Sequence, residues 1–453
     1  MYGERLEEVQ DRLAYHYAHT DAAPKAVEYL TMVAAKAMRG YAHAEAAAAL
    51  QEALRHAERL PAKARDRSIL DLAIRQAECL FYLGRRQEAV TLLLDYHEPV
   101  QRLQDAVLAS AYYEQLSLSY SFLGQREQAR HNAQRALEEA QRSQDTLTTG
   151  RAYYALTLED SFAGRLLQAV EHAERAVALL ERTTDRPLLG RALYTLGGSY
   201  FFLGDLVRVL QATVRCEALG EATGDRRLQA QGGALKGWVL AMYGDWGAGI
   251  DAYQQALACS PDAYETAIVR GFLGDAYLEK GDHAAAIPVL EQAVQEAGQY
   301  RSAQVQSWFK AFLGEAYRLN QQLDQARDLA QQGLELARRI AHRWGTALAQ
   351  RTLGRIAQSS GNLAEARAYL QEACDTFASI HSRFELARTH LDLAALSHTQ
   401  GDSVAAAMHI SIAHTWFACL QVPRYVERAE QLAQTYGLTL TEVPLAELTA
   451  DLS

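Results

Sequence analysis

The chain has 453 residues, 49% of them hydrophobic, and a formal net charge of −10. An acidic balance argues against a nucleic-acid partner, which needs a basic stripe, and the absence of a long apolar run or a basic-then-apolar leader predicts a cytoplasmic protein with no membrane partner. Five scattered cysteines (Cys79, Cys216, Cys259, Cys374, Cys419) read as reduced core residues rather than a disulfide framework.

In chain order, residues 1–60 read as N-terminal helical hairpins that cap a repeating array. LAYHYAHT and PKAVEYLTMVAAKAM flank Asp21, and a third helix comes after the turn at Gly40 and Tyr41. Residues 61–421 then repeat. Gly84, Gly124, Gly164, Gly204, Gly244, Gly281, Gln321, Gly361 and Gly401 mark a step of 40 residues, shortened to 37 between Gly244 and Gly281. Five residues after most marks comes a small residue: Ala89, Ala129, Ala169, Ala286, Ala326, Ala366 and Ala406. An apolar-periodic stretch precedes each mark and an amphipathic one succeeds it. Glycine can end the first helix in the left-handed region, and the alanine lets the second helix pack against it. Residues 422–453 complete the chain with one capping helix to about Tyr436, a stop at Gly437 and a tail. A fixed period of this length predicts an all-α, right-handed solenoid of about ten stacked helix-turn-helix repeats.

The residues around the turns resemble the tetratricopeptide repeat. Leu196-Gly197 with Tyr200, Leu273-Gly274 with Tyr277, and Leu313-Gly314 with Tyr317 match its first helix. Ala286 with Leu290, Ala366 with Leu370, and Ala406 with Ile410 match its second, and Pro261 stands where the family closes a repeat. The family tryptophan before the first-helix leucine is missing, and the 40-residue unit exceeds the usual length. The start of the chain, Leu13-Ala14-Tyr15-His16-Tyr17 and Lys25 to Leu30, resembles the tetratricopeptide sensor region of bacterial signalling ATPases of the cyclase-linked and maltose-activator types. That resemblance implies a bacterial signal-transduction role and an upstream nucleotide-hydrolysing domain or partner. The chain itself shows no phosphate-binding glycine loop.

Chemistry-bearing patterns are sparse. His16 and His19 share a helix face at a metal-ligand spacing but lack further ligands nearby; Glu159 and Asp160 point apart on a helix. No nucleophile elbow occurs. The expectation is a non-catalytic chain without cofactor or metal.

Helical arrays offer surfaces instead. The resemblance implies that first helices line a concave face. Aligning the repeats internally separates constant columns from varying ones. Tyr82, Phe122, Phe162, Phe202 and Met242 form a constant apolar column and read as core. The varying column of Tyr154, Tyr194, Ala234, Gly271, Ala311 and Arg351 reads as groove lining. The candidate concave-face binding residues are therefore Tyr154, Tyr194, Phe201 and Trp238, joined by a charged half with Asp275, Glu315, Arg318, Arg351, Arg355 and Arg388. Arg351 and Arg355 share a face, and with Arg388 they make a fork-rich site for a carboxylate or acidic peptide. Local pairing, as of Glu315 with Arg318, is the plainer alternative, with acidic residues on the second helices as further neutralisers. Glycines at 232, 233, 237, 247 and 249 predict a change of curvature or a hinge near residues 229–261. The leading functional expectation is an interaction scaffold that holds a protein or peptide segment; the second is a regulatory sensor controlling an ATPase, cyclase or transcription factor.

Overall fold

A computed structural model describes residues 2–444 and Leu448, with the side chains of 2–8 and of Lys63 left aside. Part of the predicted C-terminal tail therefore lies outside the described residues. The chain divides into two compact units, Met1–Glu159 and Asp160–Ser453.

The first unit comprises α1 (Tyr2–Ala18), α2 (Ala23–Arg39), α3 (His43–Ala57), α4 (Ala62–Tyr82), α5 (Arg86–Leu94), α6 (His97–Leu103), α7 (Ala106–Leu123), α8 (Arg126–Ser143) and most of α9 (Thr146–Ala163). One difference from the even repeat appears here. The second helix after Gly84 is split into the short α5 and α6, because Pro99 cannot continue a helix and is accommodated in the first turn of a new one. Two apolar clusters fill the unit. One joins α1–α4 through Ala26, Leu30, Leu50 and Cys79; the other joins α4–α9 through Leu93, Tyr112 and Ala136.

The second unit begins in the last turn of α9. It continues with α10 (Leu166–Leu180), α11 (Arg186–Leu203), α12 (Leu206–Thr223), α13 (Arg226–Tyr243), α14 (Trp246–Cys259), α15 (Ala263–Lys280) and α16 (His283–Gln299). Then come α17 (Ala303–Leu319), α18 (Leu323–Arg339), α19 (Arg343–Ser359), α20 (Leu363–Ser379), α21 (Arg383–Thr399), α22 (Ser403–Cys419) and α23 (Pro423–Tyr436). Each first helix packs on its own second helix and on those flanking it.

The turns work as the glycine column implies. Gly204, Gly244, Gly281 and Gly401 adopt φ between +79° and +91°, and Gln321 reaches the same region at +61°. An aspartate comes directly after each of these four glycines. Asp205, Asp245, Asp282 and Asp402 cap the next helix by accepting from the backbone N–H three residues on. All seven alanines of the small column are fully buried, and so is Val209, which replaces one. The short step has a plain cause: Pro261 ends α14 early, and Asp262 caps α15 directly.

A second left-handed column emerges only in three dimensions. Arg301, Ala341, His381 and Gln421 adopt φ of +50° to +59° between one repeat and the next. From Gly281 to Gln421 each 40-residue unit thus halves into two helices, each closed by a left-handed residue.

Four of the five glycines near 229–261, Gly232, Gly233, Gly237 and Gly249, are contact points. A Cβ on Gly237 would lie 2.8 Å from the Tyr253 ring, and one on Gly249 2.9 Å from the Gly237 carbonyl oxygen. Helices α13 and α14 remain unbroken, and close packing accounts for Gly232, Gly233, Gly237 and Gly249.

Within the second unit the array returns on itself. A Cβ on Gly204 would meet the Phe384 Cβ at 2.5 Å, one on Gly164 would meet Ile380 at 2.8 Å, and the Ser382 hydroxyl donates to the Phe202 carbonyl at 2.6 Å. These contacts bring the inner helices α11 and α13 against α21 and α23.

Candidate functional site

That closure builds the interior of the second unit in two parts. The first is aromatic. Phe201 packs on Trp238 in a tilted arrangement with centroids 4.2 Å apart and approaches Phe272 and Trp344 at 5.7 and 6.0 Å; Phe202 packs on Trp344 and Trp308 at 5.3 and 5.8 Å. Trp238 also meets Phe384 edge-on at 6.1 Å. Phe201 and Trp238, expected on an open groove, instead seal the centre of the winding. Phe202, read as core from the constant column, is half-buried, and its partners Trp308 and Trp344 come from repeats more than 100 residues away. Such contacts leave no periodic trace in sequence.

The second part is ionic and borders a cavity of about 700 Å³. Its wall comes mainly from the inner helices α13, α15, α17, α19, α21 and α23, with Trp246 and His283 added from the first residues of α14 and α16. Asp275, Glu315, Arg318, Arg351, Arg355 and Arg388 all line it. Tyr194 lies half-buried on α11 and is not among its walls, and Tyr154 lies half-buried on α9 in the first unit.

Every arginine of the predicted fork already grips a carboxylate. Arg318 holds Glu315 through Nε and Nη2, both at 2.8 Å, and donates to the Ser359 hydroxyl at 3.1 Å. Arg355 reaches Glu315 at 3.2 Å and Asp392 at 2.9 Å. Arg351 donates to Glu385, and Arg388 bridges Glu385 at 3.3 Å and Glu279. Tyr425 donates its hydroxyl to Glu279 at 2.6 Å, with Arg428 at 3.5 Å. The neutralising carboxylates sit on first helices, the expected Glu315–Arg318 pair among them, rather than on the second helices that were offered as further neutralisers. First helices face one another across the winding, which is why they meet.

Burial alone would raise the Glu279 carboxyl, but Arg388, Arg428 and the Tyr425 hydroxyl outweigh it and hold it at about 2. Asp275 behaves oppositely. It is 7% exposed, makes no hydrogen bond, and burial pushes its carboxyl up to about 7 against the pull of Arg388. Arg351 is pushed down by burial, with Glu385 opposing.

Sequence reasoning reached neither Glu385 and Asp392 nor Tyr425 and Arg428. The first two carried a signal: Glu385 lies three residues before Arg388 and Asp392 four after it, pairing distances on one helix. Tyr425 and Arg428 arrive only through the winding. Elsewhere Asp160 is buried, accepting from Arg165 Nε at 2.6 Å and facing His172 Nδ1 at 2.8 Å. His19 Nδ1 engages the Tyr15 carbonyl at 2.8 Å. Cys79, Cys216 and Cys374 are core residues, but Cys259 is half-buried and Cys419 exposed, which corrects the expectation for those two. No helix among the described residues is long and apolar enough to cross a membrane.

Family models of the tetratricopeptide repeat match residues 302–379 and 269–300. No curated protein sequence matches the chain. Among solved structures, the chain is similar to a Rap protein complexed with competence and sporulation factor, at 14% identity and a TM-score of 0.62, covering 78% of this chain and 98% of that one. It is also similar to the Rap conjugation gene regulator of plasmid pLS20 in complex with a Phr peptide, at 13% identity and a TM-score of 0.54, covering 75% and 95%. A signal-transduction ATPase with a tetratricopeptide sensor from Pyrococcus horikoshii matches at 15% identity and a TM-score of 0.41, covering 77% and 55%. Residues 269–300 and 302–379 thus match tetratricopeptide repeats, and the helix pairs and buried small-residue column carry the same pattern along the described residues.

Proposed function

We propose that this chain is a non-catalytic, ligand-responsive interaction module in which a short peptide occupies the ionic cavity of the second unit. The observation that carries the reading is the cavity wall: one occupant would touch six inner helices drawn from residues 241–428. A ligand that touches every turn of a winding binds its states unequally, and that is the condition for shifting them. The aromatic core fills the rest of the interior, which supports a compact ligand over a long segment laid along an open groove. The two Rap structures similar in fold are peptide complexes, which agrees with this class of ligand.

The test is a melt of the protein against pooled short synthetic peptides, alongside Arg355→Ala. Peptides that stabilise the parent, change Trp246 emission and lose most of their effect in the folded variant support the reading. Pools that leave both proteins unchanged overturn it.

A scaffold role is the second reading. Leu167 on α10 and Val207, Leu210 and Val214 on α12 are 40–57% exposed, an apolar face suited to a partner protein. Concentration-dependent self-association or partner capture abolished by Val214→Lys would favour it.

A further inference from the structure

The cavity wall contains one carboxylate that the protein leaves unmatched. Each of its three other carboxylates has at least one arginine: Glu279 has Arg388 and Arg428, Glu315 has Arg318 and Arg355, and Asp392 has Arg355. Asp275 has no hydrogen-bond or ion-pair partner, although it is more than nine-tenths buried and lines the cavity.

The repeat explains the omission. Asp275, Glu315 and Arg355 occupy one column, 40 residues apart, on α15, α17 and α19. Glu315 is satisfied by Arg355, its neighbour one repeat on. The neighbour of Asp275 in the same direction is Glu315, another acid. Arg388, the cation that most affects Asp275, spends its donors on Glu279 and Glu385. The ladder therefore ends one cation short at its Asp275 end, and the open space beside that end is the cavity.

We propose that Asp275 anchors the cationic group of the ligand, an ammonium or a guanidinium; this rests on the reading that the cavity is the ligand site. An ionised carboxylate without a partner is unfavourable at such depth, and a hydrogen-bonding cation completes it. The raised Asp275 carboxyl agrees, since it takes a proton in place of the missing cation. The remaining wall selects further. Six arginines line the cavity beside four carboxylates, with Glu385 and Glu427 holding Arg351, Arg388 and Arg424 from outside it, so a polycation is disfavoured. A short peptide with a free amino terminus or one basic side chain has this chemistry. The expected carboxylate-bearing or acidic ligand thereby gains a cationic group.

The probes are n-butylammonium, n-butylguanidinium and neutral butyramide, read by thermal shift and Trp246 emission on the full chain and on Asp275→Asn. Saturable stabilisation by at least one cation, absent with butyramide and lost in the Asn variant, is expected. The stronger of the two cations tells an amino terminus or lysine from an arginine. No cation effect on the parent, or an equal effect on the variant, overturns the proposal. Should the Asn variant not fold, Asp275→Glu decides, since it keeps the charge and moves it by one methylene: a changed preference between the two cations is expected, and affinities equal to the parent's for both overturn the assignment. Peptide pools run in parallel separate the two readings. Peptides that bind equally with free or acetylated amines, and with Arg or Lys replaced by Gln, sink the Asp275 anchor alone; cations that bind where no peptide does sink the peptide reading alone.

Discussion

At the scale of single residues, Glu279 is the most heavily engaged carboxylate of the ionic layer, with Arg388, Arg428 and Tyr425 as partners. Removing one side of a buried ionic group leaves the others uncompensated, at a cost of roughly 3–5 kcal/mol. Glu279→Gln should lower the denaturant midpoint accordingly. Arg327→Ala, which breaks the Arg327–Glu365 pair at 2.8 Å with side chains 39% and 37% exposed, should cost under about 1 kcal/mol. Equal losses would contradict the burial argument. A second residue-scale effect lies at the back of α21. His390 and His409 place their Nδ1 atoms 3.0 Å apart, with Cys374 Sγ 3.8 Å from His390 Nε2. Burial first, and His409 second, push His390 well below its ordinary 6.5; His409 is also lowered, by burial and Arg367. The unfolded chain binds these protons more readily than the native one below about pH 6.5. Stability should therefore fall with acidity there, by up to about 1.4 kcal/mol per pH unit for each proton withheld. His390→Leu should flatten that slope in melts taken from pH 7 to pH 4; an unchanged slope would show that other groups set it.

Among the elements, the turn glycines separate two costs that the sequence merges. Gly204 and Gly361 share a column and a left-handed φ of +82° and +79°. Nothing lies near a Cβ on Gly361, whereas one on Gly204 would sit 2.5 Å from the Phe384 Cβ and 2.9 Å from its backbone nitrogen. Gly361→Ala should cost about 1–2 kcal/mol of conformational strain. Gly204→Ala should cost more, because α21 must also retreat. Matched chemical denaturation of the two variants decides this, and equal costs would mean that the winding is loose at Phe384. The 40-residue glycine column predicts both strains equally; only the winding distinguishes them.

For the second unit as a whole, α23 closes the site. Tyr425 is buried against Phe384 and Phe417, with ring centroids 5.0 Å away in each case, and its hydroxyl meets Glu279. Ending the chain at Val422 should expose Trp416 and Phe417, which are almost fully buried, and free Glu279 from two of its three partners. Amide exchange in α15 and α22 should then accelerate well beyond that in α16, and uniform exchange would argue that α23 is only an external cap.

The sequence by itself determined the repeat: helix pairs, turn positions, the buried alanine column and the short step at Pro261. Each rests on local chemistry within 40 residues, so each is written in spacing. It also identified Asp275, Glu315, Arg318, Arg351, Arg355 and Arg388 as a charged set, because the first helices of the later repeats turn polar and charged. Tertiary structure decided what that set is. The return of α21 and α23 onto the first turns of the second unit buried Phe201 and Trp238, supplied Tyr425 and Arg428, and matched every fork arginine with an acid. It left Asp275 facing a cavity with no cation of its own. A slight rotation per repeat, accumulated over several repeats, brings residues more than 100 positions apart into contact, and no local pattern encodes which ones will meet.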